Sequence, residues 1–329
     1  MLLVIDGNNL AHRCKHVFSL SNNGKDVSVT FGFLRTMYSY IRKYDPASVL
    51  VCWDGGIPRF RVAAVPEYKA NRHKDDDPTE YEDFLRQMQE LSDYALPMMG
   101  VCTVRRVGVE ADDLMAAAVR MQQLGDCMIV SSDKDMLQCC REDKKLSRNV
   151  TVLRPSTNGK DDKIYNIDKV EEEFDIEFEK YVEWRALQGD KSDNIPGVAG
   201  IGGKTASKLF KQFGTLTGIT NAAAGINPAG TIDGRLGEAI MQFGFDRIAR
   251  NIFITSLHAD RVGAKAALLG AMSVWRKADK DRMKKYFLAN AFVSLLDGDV
   301  VGSMMKLNPP LFSTDTTIPK VCHRRKPVA

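Results

Sequence analysis

Five short apolar runs punctuate the first half of the chain: "LLVI" at 2–5, "SVLVCW" at 48–53, "VCTVRR" at 101–106, "CMIVSS" at 127–132 and "VTVLR" at 150–154. Segments with helical spacing separate them. Phe31, Leu34, Tyr38 and Ile41 share one face until Pro46 stops the helix, and Tyr81, Phe84, Met88, Leu91 and Ala95 share another that Pro97 is expected to stop. Leu114, Ala117, Met121 and Leu124 form a third set. Short runs that are apolar without alternation suit strands covered on both faces, and intervening helices permit parallel pairing. The pattern predicts an α/β fold with a parallel sheet flanked by helices. Hydrophobic residues make up 44% of the 329 positions, enough for an ample core.

Several classes of function are set aside early. No stretch approaches the roughly 18 apolar residues of a membrane span, so no membrane partner is expected. "MLLVIDGNNL" meets Asp6 after a few apolar residues and reads as a strand, not a signal peptide. The seven cysteines have no CxxC spacing, which points to buried thiols in a reducing cytoplasm. The five histidines form no HxxxH or HExxH pattern, which argues against zinc. A net charge of +4 does not by itself indicate nucleic acid.

The acids carry more information. "GVEADDLMA" places Glu110, Asp112 and Asp113 within four positions at the start of a helical pattern. Like charges about 4 Å apart repel by roughly 4 kcal/mol at an effective dielectric near 20. Capping and the helix dipole account for one or two of these acids. The remaining explanation lies at the strand ends, where Asp6, Asp54, Asp133 and Asp135 stand. Ligands of open parallel sheets bind beyond the carboxyl ends of the strands. Seven carboxylates from four segments therefore converge on one edge, a hard-oxygen donor set suited to Mg²⁺ or Mn²⁺.

Around residue 186 the texture changes to turn-rich and then helical. "GIGGKT" at 200–205 fails the GxxxxGK[ST] phosphate-loop pattern, because Val198 stands where glycine is required and no strand precedes it. "IPGVAGIGGKTASKLF" fits a helix–hairpin–helix instead. Gly200 and Gly202 free the backbone for amides that hold a phosphate, with Lys204, Lys208 and Lys211 beside them. "YKANRHK" at 68–74, read bare, is a solvated charged face. The last seventy residues look less regular, and "KLNPPLFSTDTTIPKVCHRRKPVA" reads as a loosely held tail.

"VIDGNNLAHR", "WDGGIPRFR", "PEYKANR", "GVEADDLMA", "SSDKDM" and "GDKSDNIPGVAGIGGKTA" occur in the order and spacing of the 5′-nuclease family. That family includes phage 5′-exonucleases, the 5′-nuclease domain of bacterial DNA polymerase I, and flap endonucleases. The resemblance spans residue 2 to about 215. It implies a PIN-like (resolvase-like) nuclease domain at 1–185 with a helical arch at about 66–97. A helix–three-turn–helix at 186–260 and a C-terminal extension at 261–329 complete the expected organisation.

The resemblance adds Asp190 and Asp193 to the metal-site acids and implies two Mg²⁺ or Mn²⁺ ions, with K⁺ as a further ion in the helix–three-turn–helix. It assigns catalysis at the scissile phosphate to Lys69 and Arg72, and stacking on a base to Tyr68. Gly200, Gly202, Lys204, Thr205 and Lys208 become DNA contacts. The implied activity is 5′-3′ exonuclease and 5′-flap endonuclease, in primer or flap removal or repair. The implied partners are DNA with 5′ flaps, overhangs or nicks, RNA–DNA primers and a replication polymerase. The protein is expected as a cytoplasmic monomer of a bacterial or phage-infected cell. An RNA nuclease of PIN type would explain the acids but not the helix–hairpin–helix. A silent DNA-binding protein would have no use for the acids.

Overall fold

The computed structural model describes residues 1–15, 17–71, 77–123, 125–143, 148–156, 162–257, 263–296 and 298–312. Along the first half run β1 (Leu2–Asp6), α1 (Gly7–Lys15), β2 (Ser21–Asn22), β3 (Lys25–Asp26), α2 (Ser28–Tyr44), β4 (Ser48–Trp53), α3 (Arg59–Ala64), α4 (Pro78–Glu90), α5 (Leu96–Met98) and β5 (Cys102–Arg105). Then come α6 (Ala111–Met121), β6 (Cys127–Val130), β7 (Arg141–Asp143), β8 (Arg148–Arg154), β9 (Lys163–Tyr165), α7 (Ile167–Phe174) and α8 (Tyr181–Gln188). The helices α9 (Gly203–Phe213), α10 (Leu216–Ala223), α11 (Gly234–Phe243), α12 (Phe245–Thr255), α13 (Ala264–Val274), α14 (Lys280–Ala289) and α15 (Gly298–Met305) follow.

The expected parallel sheet is present. Strands β5, β4, β1, β6 and β8 lie side by side in that order, all parallel. Every residue of β1 and β4 is buried. Their side chains alternate between two cores: Leu2, Val4, Leu50 and Cys52 face one, and Leu3, Ile5, Val49, Val51 and Trp53 face the other. Chain direction then fixes the active edge, since Asp6 ends β1 and Asp54 follows β4 directly. Helix α1 starts at Gly7 with no intervening loop. A Cβ at Gly7 would lie 2.6 Å from the Trp53 ring and 2.9 Å from the Cys52 carbonyl, so glycine is required for close packing there.

Three features differ from the expectation. First, β7 and β9 pair antiparallel with β8, and β2 with β3. These strands are two or three residues long and partly exposed, too short for an apolar pattern. Second, Pro97 does not end the preceding helical segment. A π-turn over Leu91–Ala95, with the Leu96 N–H bonded to the Leu91 carbonyl, leads into α5, where Pro97 occupies the first turn and no N–H is needed.

Third, the C-terminal extension is helical and docked among the described residues. The Asp279 N–H donates to the Met98 carbonyl (3.0 Å), Trp275 Nε1 to Gly100 (2.8 Å), and Asn308 to Ala47 (2.9 Å). The Gln123 N–H donates to Leu311 (2.9 Å), and Leu307 and Phe312 are buried. Asn308, Trp275 and Asp279 meet the chain just before β4 and β5, on the edge opposite the acids. Proline and polar content conceal this docking, because a few anchors hold the segment without periodicity. Residues 313–329, the rest of the expected loose tail, lie outside the described residues, as does Leu124. Leu307→Ala is expected to lower stability in urea unfolding by about 2–5 kcal/mol, the cost of a filled core site. A loss below about 0.5 kcal/mol would return the segment to a loosely held tail.

Candidate active site

The carboxylates are positioned by backbone before any ligand is considered. Asp6 is buried at the end of β1, where its Oδ1 accepts the Asn9 N–H (2.9 Å) and its Oδ2 accepts the Ser131 hydroxyl (2.8 Å). Asp54 accepts the Ala111 N–H at the start of α6 (2.8 Å), while Asn8 Oδ1 accepts the Asp54 N–H (2.9 Å). Asp133 accepts the Asp135 N–H (2.8 Å). The side chain of Asn9 clamps Ser132, donating to its hydroxyl (2.6 Å) and accepting its N–H (3.2 Å). The loops after β1, β4 and β6 are thus tied together at one edge.

Their mutual electrostatics show how close these acids stand. Burial pushes Asp6 up to about 7, and the charges of Asp54 and Asp133 push the same way. Asp112 is raised well above the carboxylate range by burial and by Asp133, Asp6 and Asp54. Asp133 is raised too, chiefly by burial and by Asp193. Burial and Asp133 bring Asp135 to about 7 against the pull of Arg185. Among the described residues, no three His, Cys, Asp or Glu side chains are placed so that they could hold a metal ion. The donor set is nevertheless all carboxylate oxygen, the kind a hard divalent cation takes.

Three buried cations hold the other acids. Arg61 bonds Glu110 and grips both oxygens of Asp113 (2.8 and 3.1 Å), while its Nε donates to the Ile254 carbonyl at the end of α12 (3.2 Å). Lys69 pairs with Glu110 and lies 3.7 Å from Asp193. Its own backbone is left-handed (φ 58°), and its N–H is fixed to the Asp193 carbonyl (3.0 Å). Arg185 on α8 joins Asp135 (2.8 Å) to Asp190 (2.7 Å). For Asp190, burial works upward, but the Ser192 hydroxyl and Arg185 outweigh it and lower its pKa.

Two of the expected site residues stand in buried surroundings. Asp113, expected at the metal, is fully buried with both oxygens on Arg61, so it anchors that arginine from behind. Tyr68, expected to stack on a base, is only 5% exposed, and its hydroxyl lies 3.3 Å from Glu110 and 3.3 Å from Asp193. Its ring packs with Val65, Ile195 and Ile254, an apolar nucleus that seals this flank. Arg72 lies outside the described residues.

Arg61, Arg185, Asn8 and Asn9 were not singled out from sequence. The only signal available was their place inside the quoted stretches or, for Arg185, just before one.

Beyond α8 the chain makes the turn that carries "GIGGKT". Gly189 and Gly197 touch backbone to backbone, leaving no room for a Cβ on either. Asp190 and Ile195 exchange backbone hydrogen bonds (2.9 and 2.7 Å). Gly200 is left-handed (φ 80°), and Gly202 caps α9 with open space beside it. Lys204 and Lys208 are exposed on α9, and Thr205 is half-buried. Trp184 Nε1 fastens α8 to α9 through Ser207 (2.9 Å).

Acids on the carboxyl edge of a resolvase-like sheet, with cations beside them and a helical hairpin tied on, define a nuclease architecture. The sequence comparisons agree. A family described as "5'-3' exonuclease, N-terminal resolvase-like domain" matches residues 1–175, and "5'-3' exonuclease, C-terminal SAM fold" matches 176–251. The chain belongs to the 5′-3′ exonuclease family.

Thermostable DNA polymerase I of Thermus filiformis is 34% identical over 230 residues, covering 69% of this chain and 26% of the relative. DNA polymerase I of Mycobacterium leprae is 28% identical over 293 residues, covering 87% and 30%. The chain thus spans a quarter to a third of these relatives' length. Among solved structures, the T5 D15 protein co-crystallised with metal ions aligns at a TM-score of 0.62 with 22% identity, covering 88% of this chain and 99% of that one. The catalytic core of Rad2 in complex with DNA substrate aligns at 0.55 with 17% identity, covering 92% of both. These two likenesses show the fold.

The raised Asp6 carries a sign. Its folded pKa of about 7 lies above the ordinary aspartate value of 3.8, so the folded state binds this proton more tightly. The stabilisation is full below about pH 4 and is lost as pH rises through 7. Asp6→Asn, which cannot ionise, is therefore expected to melt several degrees above the wild type in EDTA at pH 8. The gap should narrow as pH falls to 5. Equal melting at both pH values would remove the charge crowding.

Proposed function

We propose that this chain is a divalent-metal-dependent 5′-3′ exonuclease and 5′-flap endonuclease. It hydrolyses DNA phosphodiesters near 5′ ends and at single-strand/duplex junctions, in primer or flap removal or repair. One observation carries the reading: Asp6, Asp54, Asp112 and Asp133 crowd one edge with no ion pair of their own among the described residues, while Lys69 and Arg185 stand beside them. These four would hold one Mg²⁺ or Mn²⁺, with Glu110 and Asp113 orienting the site through Lys69 and Arg61, and Asp135, Asp190 and Asp193 a second. A bound divalent cation supplies Lewis acidity and activates water at neutral pH.

The chain's own groups do the rest. Asn9, Ser131 and the Ala111 N–H aim the carboxylates. Lys69 moves from Glu110 towards the negative charge that develops on the scissile phosphoryl group, and Arg72 is assigned the same task. Arg185 couples the acid edge to the turn at 189–202, so that grip on the duplex and cleavage share one rigid link. Residues 1–185 would serve catalysis, with the arch at 66–97. Residues 186–260 would hold the duplex through Gly200, Gly202, Lys204, Thr205 and Lys208, with K⁺ as the turn's ion. Within the expected extension at 261–329, the described residues 263–296 and 298–312 would brace the sheet from behind.

The polymerase relatives support a polymerase partner, and DNA-bound Rad2 supports a DNA substrate. No helix among the described residues is long and apolar enough to cross a membrane. A monomer in a bacterial or phage-infected cytoplasm is the setting that fits.

A 5′-flap duplex labelled at either end, incubated with Mg²⁺ or EDTA, tests the activity. Asp133→Asn is expected to cut cleavage at least a hundredfold while flap binding in EDTA persists; equal loss of both would make Asp133 a folding residue. Lys204→Ala is expected to weaken binding alike for flaps of different sequence. It should also reduce the slope of log affinity against log salt by roughly one. An unchanged slope and affinity would make "GIGGKT" an ordinary turn.

A further inference from the structure

We propose that the cleft between the loop at 131–134 and the turn at 189–192 binds a 5′-terminal phosphate monoester, so that the enzyme prefers phosphorylated 5′ ends. The proposal rests on the nuclease reading above and deepens it. The cleft measures about 460 Å³ and opens beside Asp133, Arg185 and Asp190. Its remaining charged lining is basic: Lys134, Arg154 and Lys191. Neither lysine is ion-paired among the described residues, and both are exposed. Arg154 is fixed in place, since its Nε and Nη2 donate to the Ser132 carbonyl (3.2 and 3.0 Å) and its guanidinium lies 5.9 Å from the Tyr165 ring centre. Asn9 clamps Ser132 in turn. One edge of the cleft is therefore built before any ligand arrives.

Charge selects the ligand. Of the two carboxylates in the cleft, Asp190 is already answered by Arg185 (2.7 Å) and by the Ser192 hydroxyl (2.5 Å). Arg185 is shared with Asp135 and Arg154 also acts on Glu173, so the charges left for a ligand are the two lysines, Lys134 and Lys191, an excess of two positive charges on the open side of the cleft. A monoester phosphate carries close to two negative charges at neutral pH and has three acceptor oxygens. An internal phosphodiester carries one. The excess matches the terminal group, and the cleft lies next to the acids, where the nucleotide adjoining the scissile bond would stand.

The test compares recessed duplex ends carrying a 5′-phosphate or a 5′-hydroxyl. Wild-type kcat/KM is expected to favour the phosphorylated end on the order of tenfold, the worth of one charge-assisted hydrogen bond. Lys134→Gln/Lys191→Gln is expected to bring the phosphorylated end down to the hydroxyl end while leaving the hydroxyl end within about twofold. Binding of the same two duplexes in EDTA, read by fluorescence anisotropy, should show the same preference and the same loss. Equal wild-type values for the two ends, or an equal drop on both in the double variant, would overturn the subsite. A preference in binding with no cleavage of any substrate would support the subsite and overturn the nuclease reading.

Discussion

Glu110 is shared by two buried cations, Arg61 and Lys69, and the arrangement of the active edge depends on that shared charge. A carboxylate only 3% exposed is costly unless paired, and so are the cations facing it. Removing one partner leaves the others uncompensated. The cluster therefore fixes several elements at once: α3 through Arg61, the left-handed turn at Lys69, the start of α6, and the end of α12 through the Ile254 carbonyl. Asp6, Asp54, Asp112 and Asp133 make no ion pair among the described residues, and burial and one another's charges raise Asp6 and Asp112.

Arg185 performs the complementary task on the other flank. By bridging Asp135 and Asp190 it ties the loop after β6 to the turn before α9, so the helical half of the chain cannot drift relative to the acids without breaking a partly buried charge pair. Asn251 reinforces the link, donating to the carbonyls of Ala186 (3.0 Å) and Pro196 (2.7 Å) from α12. Under the proposed function, such a link would fix the distance between grip and chemistry.

Much of this was legible in the sequence. Doubly covered strands announce themselves as unbroken apolar runs, and Asp6, Asp54, Asp133 and Asp135 mark the carboxyl edge because chain direction in a parallel sheet is fixed. The glycines of "GIGGKT" declare a turn through backbone freedom. What stayed hidden were pairings between distant segments. Nothing local in "IPRFR" says that Arg61 turns inward to Asp113, or that Tyr68 lies in an apolar nucleus with Ile195 and Ile254. A charged residue in a short helix reads as exposed until a buried partner is seen. The same holds for Leu307 and Phe312, whose docking sites are the segments before β4 and after α6.

The central claim is that Asp6, Asp54, Asp112 and Asp133 carry a net mutual repulsion which a divalent cation relieves. Thermal unfolding of the intact chain across a Mg²⁺ or Mn²⁺ series, at constant ionic strength and pH 8, tests it most directly. Binding to the folded state alone adds about 2.7 kcal/mol at a hundredfold excess over Kd. The melting temperature is therefore predicted to climb steadily with the logarithm of metal concentration, and to climb less in Asp112→Asn. A melting temperature that stays flat into the millimolar range, in wild type and variant alike, would contradict the account.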